Sequence, residues 1–280
     1  MAAGTSSRFV PLSAEYPKGL LNVKGEILIE RQIRQLQEAG VDDITVVVGY
    51  KSEAFAYLKD KYGVSIVMNE DYDIYNNTSS LIRVLDRLGN TFICSSDNYF
   101  PENVFMNNPV ESYYSALYAD GETGEYCIDV DEADNIIDVS VGGHDSWYMV
   151  GHVYFSEEFS RSFATLLKQE YEKEETRQGY WEDVYIRFIN ELPKMKIHRY
   201  KEADIKEFDS LDELRQFDDS YKSDTRSSII KEIADRLNCD QSELTSFHNE
   251  KRNGSCLQFT FYKAGDVYRY IGTDKSITKL

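Results

Sequence analysis

The chain has 280 residues, 41% hydrophobic and 29% charged, with 49 acidic against 31 basic side chains and a formal net charge of -18. That length can bury a full core and leaves room for a small second domain. A balance this acidic, with no segregated basic patch, argues against a nucleic-acid surface and for a small-molecule ligand, and no apolar run approaches the ~18 residues that span a bilayer.

The four cysteines, Cys94, Cys127, Cys239 and Cys256, are scattered without metal-ligand spacing, so reduced thiols and a cytoplasmic setting are the economical expectation. No charged-then-apolar leader precedes the first motif. The histidines His144, His152, His198 and His248 show no zinc spacing and receive no chemistry.

The opening stretch carries the most information. Small residues at Ala2, Ala3, Gly4, Thr5, Ser6 and Ser7 let backbone N–H groups approach an anion closely, and Arg8 and Lys18 supply the positive charge a triphosphate needs. Pro17 stiffens the backbone just before Lys18. This reads as a nucleotide-binding loop. It is neither a Walker A sequence, since no Gly-Lys-Ser/Thr closes it, nor the spaced triple glycine of a dinucleotide fold.

The composite Ala2-Ala3-Gly4, Arg8, Pro11-Leu12, then Pro17-Lys18, Leu20-Leu21 and Val23-Lys24-Gly25 resembles the signature of the sugar-phosphate nucleotidyltransferase superfamily. The resemblance implies an α/β fold, Rossmann-like, with a mixed, mostly parallel sheet of the nucleotide-diphospho-sugar transferase type. Superfamily members carry a hydrophobic strand immediately before this loop. Its absence here is read as a mis-set start or a fragment, with the loop less well held than in the intact protein.

Glu26 to Ala39 places Ile29, Ile33 and Leu36 on one face and stops at Gly40, which predicts an amphipathic helix. The β-branched run Ile44 to Tyr50 predicts a buried parallel strand, Ser52 to Tyr62 a helix, and Val64 to Met68 a second strand. Next come Asn69 and the run Tyr75 to Leu81, with a helix to about Leu88. The adjacent carboxamides Asn76 and Asn77 can donate and accept hydrogen bonds, as reading a pyrimidine edge requires; a helix cap and turn is the alternative. In the superfamily this stretch lies near the base, so Asn76, Asn77 and Ser80 join the expected nucleotide set.

Thr91 to Phe100 is an apolar strand ending in a polar cluster, and a carboxylate at the carboxyl end of a parallel strand sits where open α/β sheets bind ligands. Asp97 there resembles the aspartate that holds Mg2+ against the nucleotide phosphates. Strands are expected at 113–120, 124–129 and 135–141. Ser156 caps a helix to Glu174, Gly179 to Tyr185 opens another, and Ile197 to Tyr200 is a strand.

The segment Asp209-Ser210-Leu211-Asp212-Glu213-Leu214 resembles the cytidylyltransferase signature that supplies a second metal aspartate, here Asp209, with Ser210 and Glu213 forming a capping box. Residues 1–220 are taken as the nucleotidyltransferase domain. Residues 221–280, with a helix over 225–238 and a hairpin about Ala264-Gly265, are taken as a small α+β appendage.

The finer resemblance, over roughly residues 1–218, is to bacterial CTP:phosphocholine cytidylyltransferases. It rests on Tyr75-Asn76-Asn77, Asp97-Asn98-Tyr99, Gly179-Tyr180-Trp181-Glu182-Asp183 and Glu207-Phe208-Asp209-Ser210. It departs where Ser95 replaces a second acidic residue and Tyr126 replaces a tryptophan. It implies CTP and phosphocholine as substrates, Mg2+ as cofactor, and CDP-choline and pyrophosphate as products. A trimethylammonium group is recognised by aromatic faces and carboxylates, and Tyr126, Trp147, Tyr180, Trp181 and Glu182 are the candidates. The alternatives are a sugar-1-phosphate nucleotidyltransferase and a catalytically silent nucleotide-binding regulatory protein. No nucleic-acid or membrane partner is expected, and a homo-oligomer is compatible with the sequence.

Overall fold

The computed structural model describes residues 1–106, 109–250 and 256–280. They form two compact units, the first made of Met1–Gly4 with Ile29–Glu207 and the second of Thr5–Leu28 with Phe208–Leu280.

In the first unit the amphipathic stretch becomes α1 (Leu28–Glu38), closed by Gly40 at φ 82°. The β-branched run forms β1 (Thr45–Val48), paired in parallel with β2 (Ser65–Met68). Between them the expected helix is a 3-10 turn, Ser52–Phe55, followed by α2 (Leu58–Tyr62). The helix expected up to Leu88 is α3 (Thr78–Leu81) running into 3-10 turns that reach Arg87 and break helical geometry at Val84.

A second sheet has the order β3, β5, β4, β6, built from β3 (Thr91–Cys94), β4 (Tyr113–Val130), β5 (Ile136–Phe155) and β6 (Lys196–Arg199). β5 runs antiparallel to both β3 and β4, and β6 is parallel to β4, giving the expected mixed α/β class. The several short strands expected between 113 and 155 are two long ones of 18 and 20 residues. Gly121 and Gly142, which look like strand ends in the sequence, take positive φ within a ladder whose register shifts repeatedly, so they bend the ribbon without ending it.

α4 (Glu157–Glu170) starts at Ser156, whose hydroxyl accepts the Phe159 N–H at 3.3 Å, and buries Phe159, Phe163 and Leu167. α5 (Glu174–Gln178) and α6 (Trp181–Arg187) follow. Phe155, Phe159, Phe163, Trp181 and Tyr185 form the aromatic centre of this core.

The face of α1 opposite solvent is not wholly apolar. Gln32 and Gln35 are as buried as Ile33, and they are spent on the turn that follows β3. The Gln32 amide donates to the carbonyls of Ser95 and Asn98, both at 2.8 Å, while Gln35 and Arg31 donate to the carbonyl of Phe100 at 3.0 and 2.7 Å. The loop carrying Asp97 is thus tied to a helix by side chains that a hydrophobic-period reading passes over.

In the second unit α7 (Leu211–Phe217) and α8 (Ser228–Leu237) accompany a four-stranded antiparallel sheet in sequential order. Its strands are β7 (Thr245–Asn249), β8 (Gln258–Lys263), β9 (Asp266–Ile271) and β10 (Ser276–Lys279). The expected hairpin turns at Ala264 and Gly265, both at positive φ, as a two-residue turn matched to strand twist requires. Ile230, Ile233, Phe247, Phe259 and Phe261 are buried here. No described helix is long and apolar enough to cross a membrane.

Replacing Gln32 by Leu removes the donor for two carbonyls at once, and an unsatisfied buried acceptor costs about 1–3 kcal/mol. Urea unfolding of Gln32→Leu is expected to show a loss of that size, against a change within about 0.5 kcal/mol for Arg34→Ala on the exposed face of α1. Equal midpoints for the two variants would remove the strapping role.

Candidate active site

The opening loop divides between the units at Gly4–Thr5. In the first unit Ala2 and Ala3 are buried: the Ala2 N–H donates to the carbonyl of Val47 at 2.7 Å, and Ala3 accepts from the Tyr50 N–H at 3.1 Å. The close approach depends on Gly49, where a Cβ would lie 2.5 Å from the Tyr72 side chain and 2.9 Å from the Ala3 carbonyl. A Cβ at Gly4 would meet nothing, so this glycine leaves open space at the end of the strand-like segment.

In the second unit Thr5 is exposed and Ser6 adopts a left-handed conformation at φ 50°. Arg8 projects into solvent, and its guanidinium donates to Asp209 Oδ2 at 2.8 Å. The Lys18 stem is buried, its ammonium lying 3.7 Å from Asp209 Oδ1 and 5.9 Å from the centre of the Phe9 ring. The two cations selected from the sequence therefore meet on one of the two selected aspartates. Asp209 leads α7, where the Ser210 hydroxyl accepts from the Glu213 N–H at 3.2 Å. The Glu213 carboxylate bonds back to the Asp209 N–H at 2.9 Å and to the Ser210 hydroxyl at 3.0 Å, so the reciprocal arm of the expected capping box reaches one residue earlier. That arrangement fixes the Asp209 backbone and leaves its carboxylate to the two cations.

Asp97 lies half-buried at the end of β3, in the first unit, on the loop tied down by Gln32. No group of three or more His, Cys, Asp or Glu side chains suited to a metal occurs among the described residues. One or two carboxylates are nonetheless the donor set with which Mg2+ is held when phosphate oxygens and water complete an octahedron. Asp97 and Asp209 have that chemistry.

The remaining candidates in the first unit gather around the start of α6. Asn77 uses both ends of its carboxamide: Oδ1 accepts from the Trp181 N–H at 2.9 Å, and Nδ2 donates to Glu182 Oε2 at 3.1 Å. Ser80 is also engaged, its hydroxyl accepting from the buried Asn69 amide at 3.0 Å, beside Ser79 at 2.8 Å. The Asn77 side chain makes no cap bond to α3 and instead clasps the start of α6.

Glu182 is held between the Asn77 amide and the Tyr114 hydroxyl, 3.1 Å from Oε1. Burial pushes its carboxyl up to about 7, against the lowering effect of these neutral donors. Among the described residues no Lys, Arg or His side chain pairs with it. Next to it, Asp183 accepts the Tyr126 hydroxyl at 2.7 Å and the Tyr180 N–H at 2.8 Å. Gly179 is required here, since a Cβ would lie 2.9 Å from Asp183 Oδ2.

The expected aromatic box is only partly assembled. Tyr126 and Tyr180 meet edge to face at 6.3 Å, with Tyr180 well exposed. Trp181 is 1% exposed, stacked on Tyr114 at 5.9 Å and edged by Phe155 and Phe163, so its indole packs the core and only its backbone serves the site. Trp147 pairs with Tyr118 at 5.3 Å and is covered by the Arg199 guanidinium at 5.4 Å. Two residues that the sequence did not single out as site members, Tyr114 and Asp183, complete the cluster. Asp183 sits in the motif around Glu182, whereas nothing near Tyr114 signals its role, because its partner is 68 residues away.

Residues 1–123 match the model of the MobA-like NTP transferase domain family. A 2-aminoethylphosphonate cytidylyltransferase of Lancefieldella rimae is 38% identical over 225 residues, 79% of this chain and 91% of the relative. A choline-phosphate cytidylyltransferase of Streptococcus pneumoniae is 31% identical over 224 residues, 80% of this chain and 97% of the relative. The solved structure of CTP:phosphocholine cytidylyltransferase from Streptococcus pneumoniae superposes with a TM-score of 0.75 at 32% identity, covering 78% of this chain and 96% of that one. With two relatives above 30% identity matched over nearly their whole length, and with that fold, the chain belongs to the cytidylyltransferases of the nucleotidyltransferase superfamily.

Proposed function

We propose that the protein transfers a cytidylyl group from CTP to a short acceptor with a phosphorus oxyanion at one end and a cationic amine at the other. The observation that carries this reading is Glu182: a half-buried carboxylate held by two neutral donors and by no side-chain cation, which suits a ligand's positive charge. The named substrates of the two relatives, 2-aminoethylphosphonate and choline phosphate, share that chemistry.

Between them the geometry favours a primary ammonium. Its N–H groups can bond Glu182, whereas a trimethylammonium relies on open aromatic faces, and the Trp181 ring is buried while Trp147 already carries the Arg199 guanidinium. Phosphocholine is the second reading, supported by the Tyr126–Tyr180 corner.

In the reaction an acceptor oxygen forms a bond to the α-phosphorus of CTP as the bond to the β-phosphate oxygen breaks and pyrophosphate leaves. The nucleophile is already anionic, so no general base is needed; positioning and charge neutralisation carry the rate. Arg8 and Lys18 neutralise the phosphates, and the backbone from Ala2 to Ser6 lines the polyanion. Asp97 in the first unit and Asp209 in the second are each proposed as a carboxylate ligand for Mg2+, which when bound would draw charge from the phosphate oxygens. Asn76 is the carboxamide assigned to the base, with Asn77 shaping the site behind it.

Pyrophosphate release is expected with CTP and 2-aminoethylphosphonate, more weakly with phosphocholine, and not with UTP and glucose 1-phosphate. Turnover of the sugar phosphate alone would overturn the reading. Glu182→Gln is expected to raise the acceptor KM about 10- to 100-fold while leaving the KM for CTP within about twofold. Because the carboxyl titrates near 7 and the ionised form attracts the ammonium, kcat/KM for the acceptor should climb as pH rises from 6 to 8 in the parent and stay flat in the variant. Lys18→Ala should cost on the order of 100-fold in kcat; near-parental turnover would remove its phosphate role.

A further inference from the structure

The second unit is assembled from two stretches far apart in the chain, Thr5–Leu28 and Phe208–Leu280. Arg8 and Lys18 lie on the first and Asp209 on the second. Several of the polar bonds between the stretches fall on either side of Lys18. Glu15, at the end of the helical turn Leu12–Glu15, accepts the Ser228 N–H at 2.8 Å on Oε1, which also takes the Ser228 hydroxyl, while Oε2 takes the hydroxyl of Ser227. Ser227 is the cap of α8, its own hydroxyl accepting the Ile230 N–H at 3.1 Å, so the Glu15 carboxylate grips that helix where negative charge is favoured. Beyond Lys18, the Asn22 carbonyl accepts the Tyr221 hydroxyl at 2.8 Å and an Arg226 N–H, and the Lys24 N–H donates to Asp218 Oδ2 at 2.7 Å. Lys18 therefore stands on a span anchored at both ends.

The helix that follows Asp209 is gripped by the same C-terminal stretch. Asp212 of α7 accepts the Ser246 N–H at 2.7 Å, and the buried Arg215 guanidinium donates to the carbonyls of Leu244 at 2.7 Å and Gln241 at 2.8 Å. The Gln241 side chain accepts the Thr225 N–H at 3.1 Å, and the Thr225 hydroxyl accepts the Ser227 N–H at 3.4 Å. Hydrogen bonds thus run from Glu15 through Ser227, Thr225 and Gln241 to Arg215, which holds α7. One polar scaffold fixes the approach to Lys18 and the helix led by Asp209, whose carboxylate the Lys18 ammonium faces at 3.7 Å.

We propose that the stretch from Asp218 to Ser246 is a bracket for the phosphate site and that Glu15 is a positioning residue acting through Lys18; the proposal rests on the phosphate role given to Lys18 above. Its physical basis is directional. Apolar packing tolerates a small slide, whereas a carboxylate shared by two hydroxyls and an N–H loses several bonds at once when it moves. A reacting group displaced by about 1 Å can lose about 100-fold in rate, so an anchor this close in the chain to Lys18 sets how well its ammonium is aimed. Between the anchors the chain is stiff: Pro17 leads a 3-10 turn, Lys18–Leu20, in which the Leu20 and Leu21 N–H groups bond the carbonyls of Pro17 and Lys18 at 2.9 and 3.1 Å. Glu182 belongs to the first unit and is held there by Asn77 and Tyr114, so the acceptor end of the site has its own supports. The part of the chain beyond residue 220 is then a frame for catalysis and not a passenger.

The test measures cytidylyl transfer by Glu15→Ala in the full chain, alone and combined with Lys18→Ala. Alone it is expected to lower kcat about tenfold with the acceptor KM within about twofold; added to Lys18→Ala it should cost less than about twofold more. A residue that merely supports the fold would cost the same factor in both backgrounds. That result, or a parental kcat in Glu15→Ala, would overturn the proposal. Should Glu15→Ala fail to fold, Ser228→Ala removes one partner of the carboxylate from outside the loop, with a loss of about threefold in kcat expected in the parent and none in Lys18→Ala. Calorimetry with inorganic tripolyphosphate separates the bracket from the reaction. If the parent turns over no acceptor, the transfer reading fails, yet the Kd for tripolyphosphate should still rise about fivefold in Glu15→Ala and stay level when Lys18→Ala is already present. An unchanged Kd in Glu15→Ala would overturn the bracket.

Discussion

The carboxamide of Asn77 is the clasp on which the candidate site depends. One side chain on the short segment before α3 bonds the Trp181 backbone and the Glu182 carboxylate, 104 and 105 residues further on. It therefore fixes where α6 begins, and with it the positions of Glu182, of Asp183 and of the Trp181 indole in the core. The Thr78 hydroxyl adds a bond to the Gly179 carbonyl at 2.7 Å, so the approach to α6 is held at a second point. A half-buried amide with both ends satisfied specifies geometry more sharply than apolar packing does, because any slip leaves two polar groups unpaired. The acidic cluster is in this sense built from the amide outward.

Local pattern carried most of the fold. β1, α1 with its glycine stop, the Ser156 cap, the Ser210 cap and the turn at Ala264-Gly265 all follow from residues within a few positions of each other, where hydrophobic period and turn chemistry act. The long ribbon of β4 and β5 was read as pieces because glycines in strands signal both ends and bends, and only pairing with a partner strand decides between them. The same limit applies to the site. Residue types pointed to Arg8, Lys18, Asp209 and Glu182, but whether an aromatic faces a ligand or the core depends on contacts from distant elements. Trp181 shows this: its motif looks like a binding box, and its ring is packed by Tyr114, Phe155 and Phe163. Gln32 is the converse case, a polar residue on a core face whose partners lie more than 60 positions away.

Charge is distributed unevenly in a way that suits a polyanionic substrate. The chain as a whole carries a formal -18, a field that opposes the approach of a triphosphate over long distances, though salt screens most of it beyond about 8–10 Å. What counts is the local arrangement, and in the second unit one carboxylate stands between a guanidinium and an ammonium. Two cations around one anion leave a net positive charge, and Asp209 keeps both in place before any ligand arrives. Preorganised charge of this kind stabilises an anionic transition state without having to be assembled as it forms. Lys18 gains further from its buried stem and from the Phe9 ring, which restrict its rotamers.

Glu182 sets the opposite balance, between stability and binding. Its carboxyl is raised in the folded state from 4.5 to about 7, so the folded chain prefers it protonated. A raised acid pKa lowers stability as pH climbs from the unfolded value to the folded one, and above about 7 the whole cost applies, on the order of 3 kcal/mol. A side chain chosen for stability alone would be the isosteric amide, which can accept from Asn77 with its oxygen and donate to the Tyr114 hydroxyl oxygen with its NH2, without the charge. The function proposed above supplies a reason outside the fold: a cation entering beside the carboxylate would offset the desolvation penalty and turn it into binding selectivity, because a neutral ligand of the same shape leaves it standing. The closeness of that pKa to neutrality follows from burial, which the two neutral donors offset only in part while they hold the carboxylate's geometry.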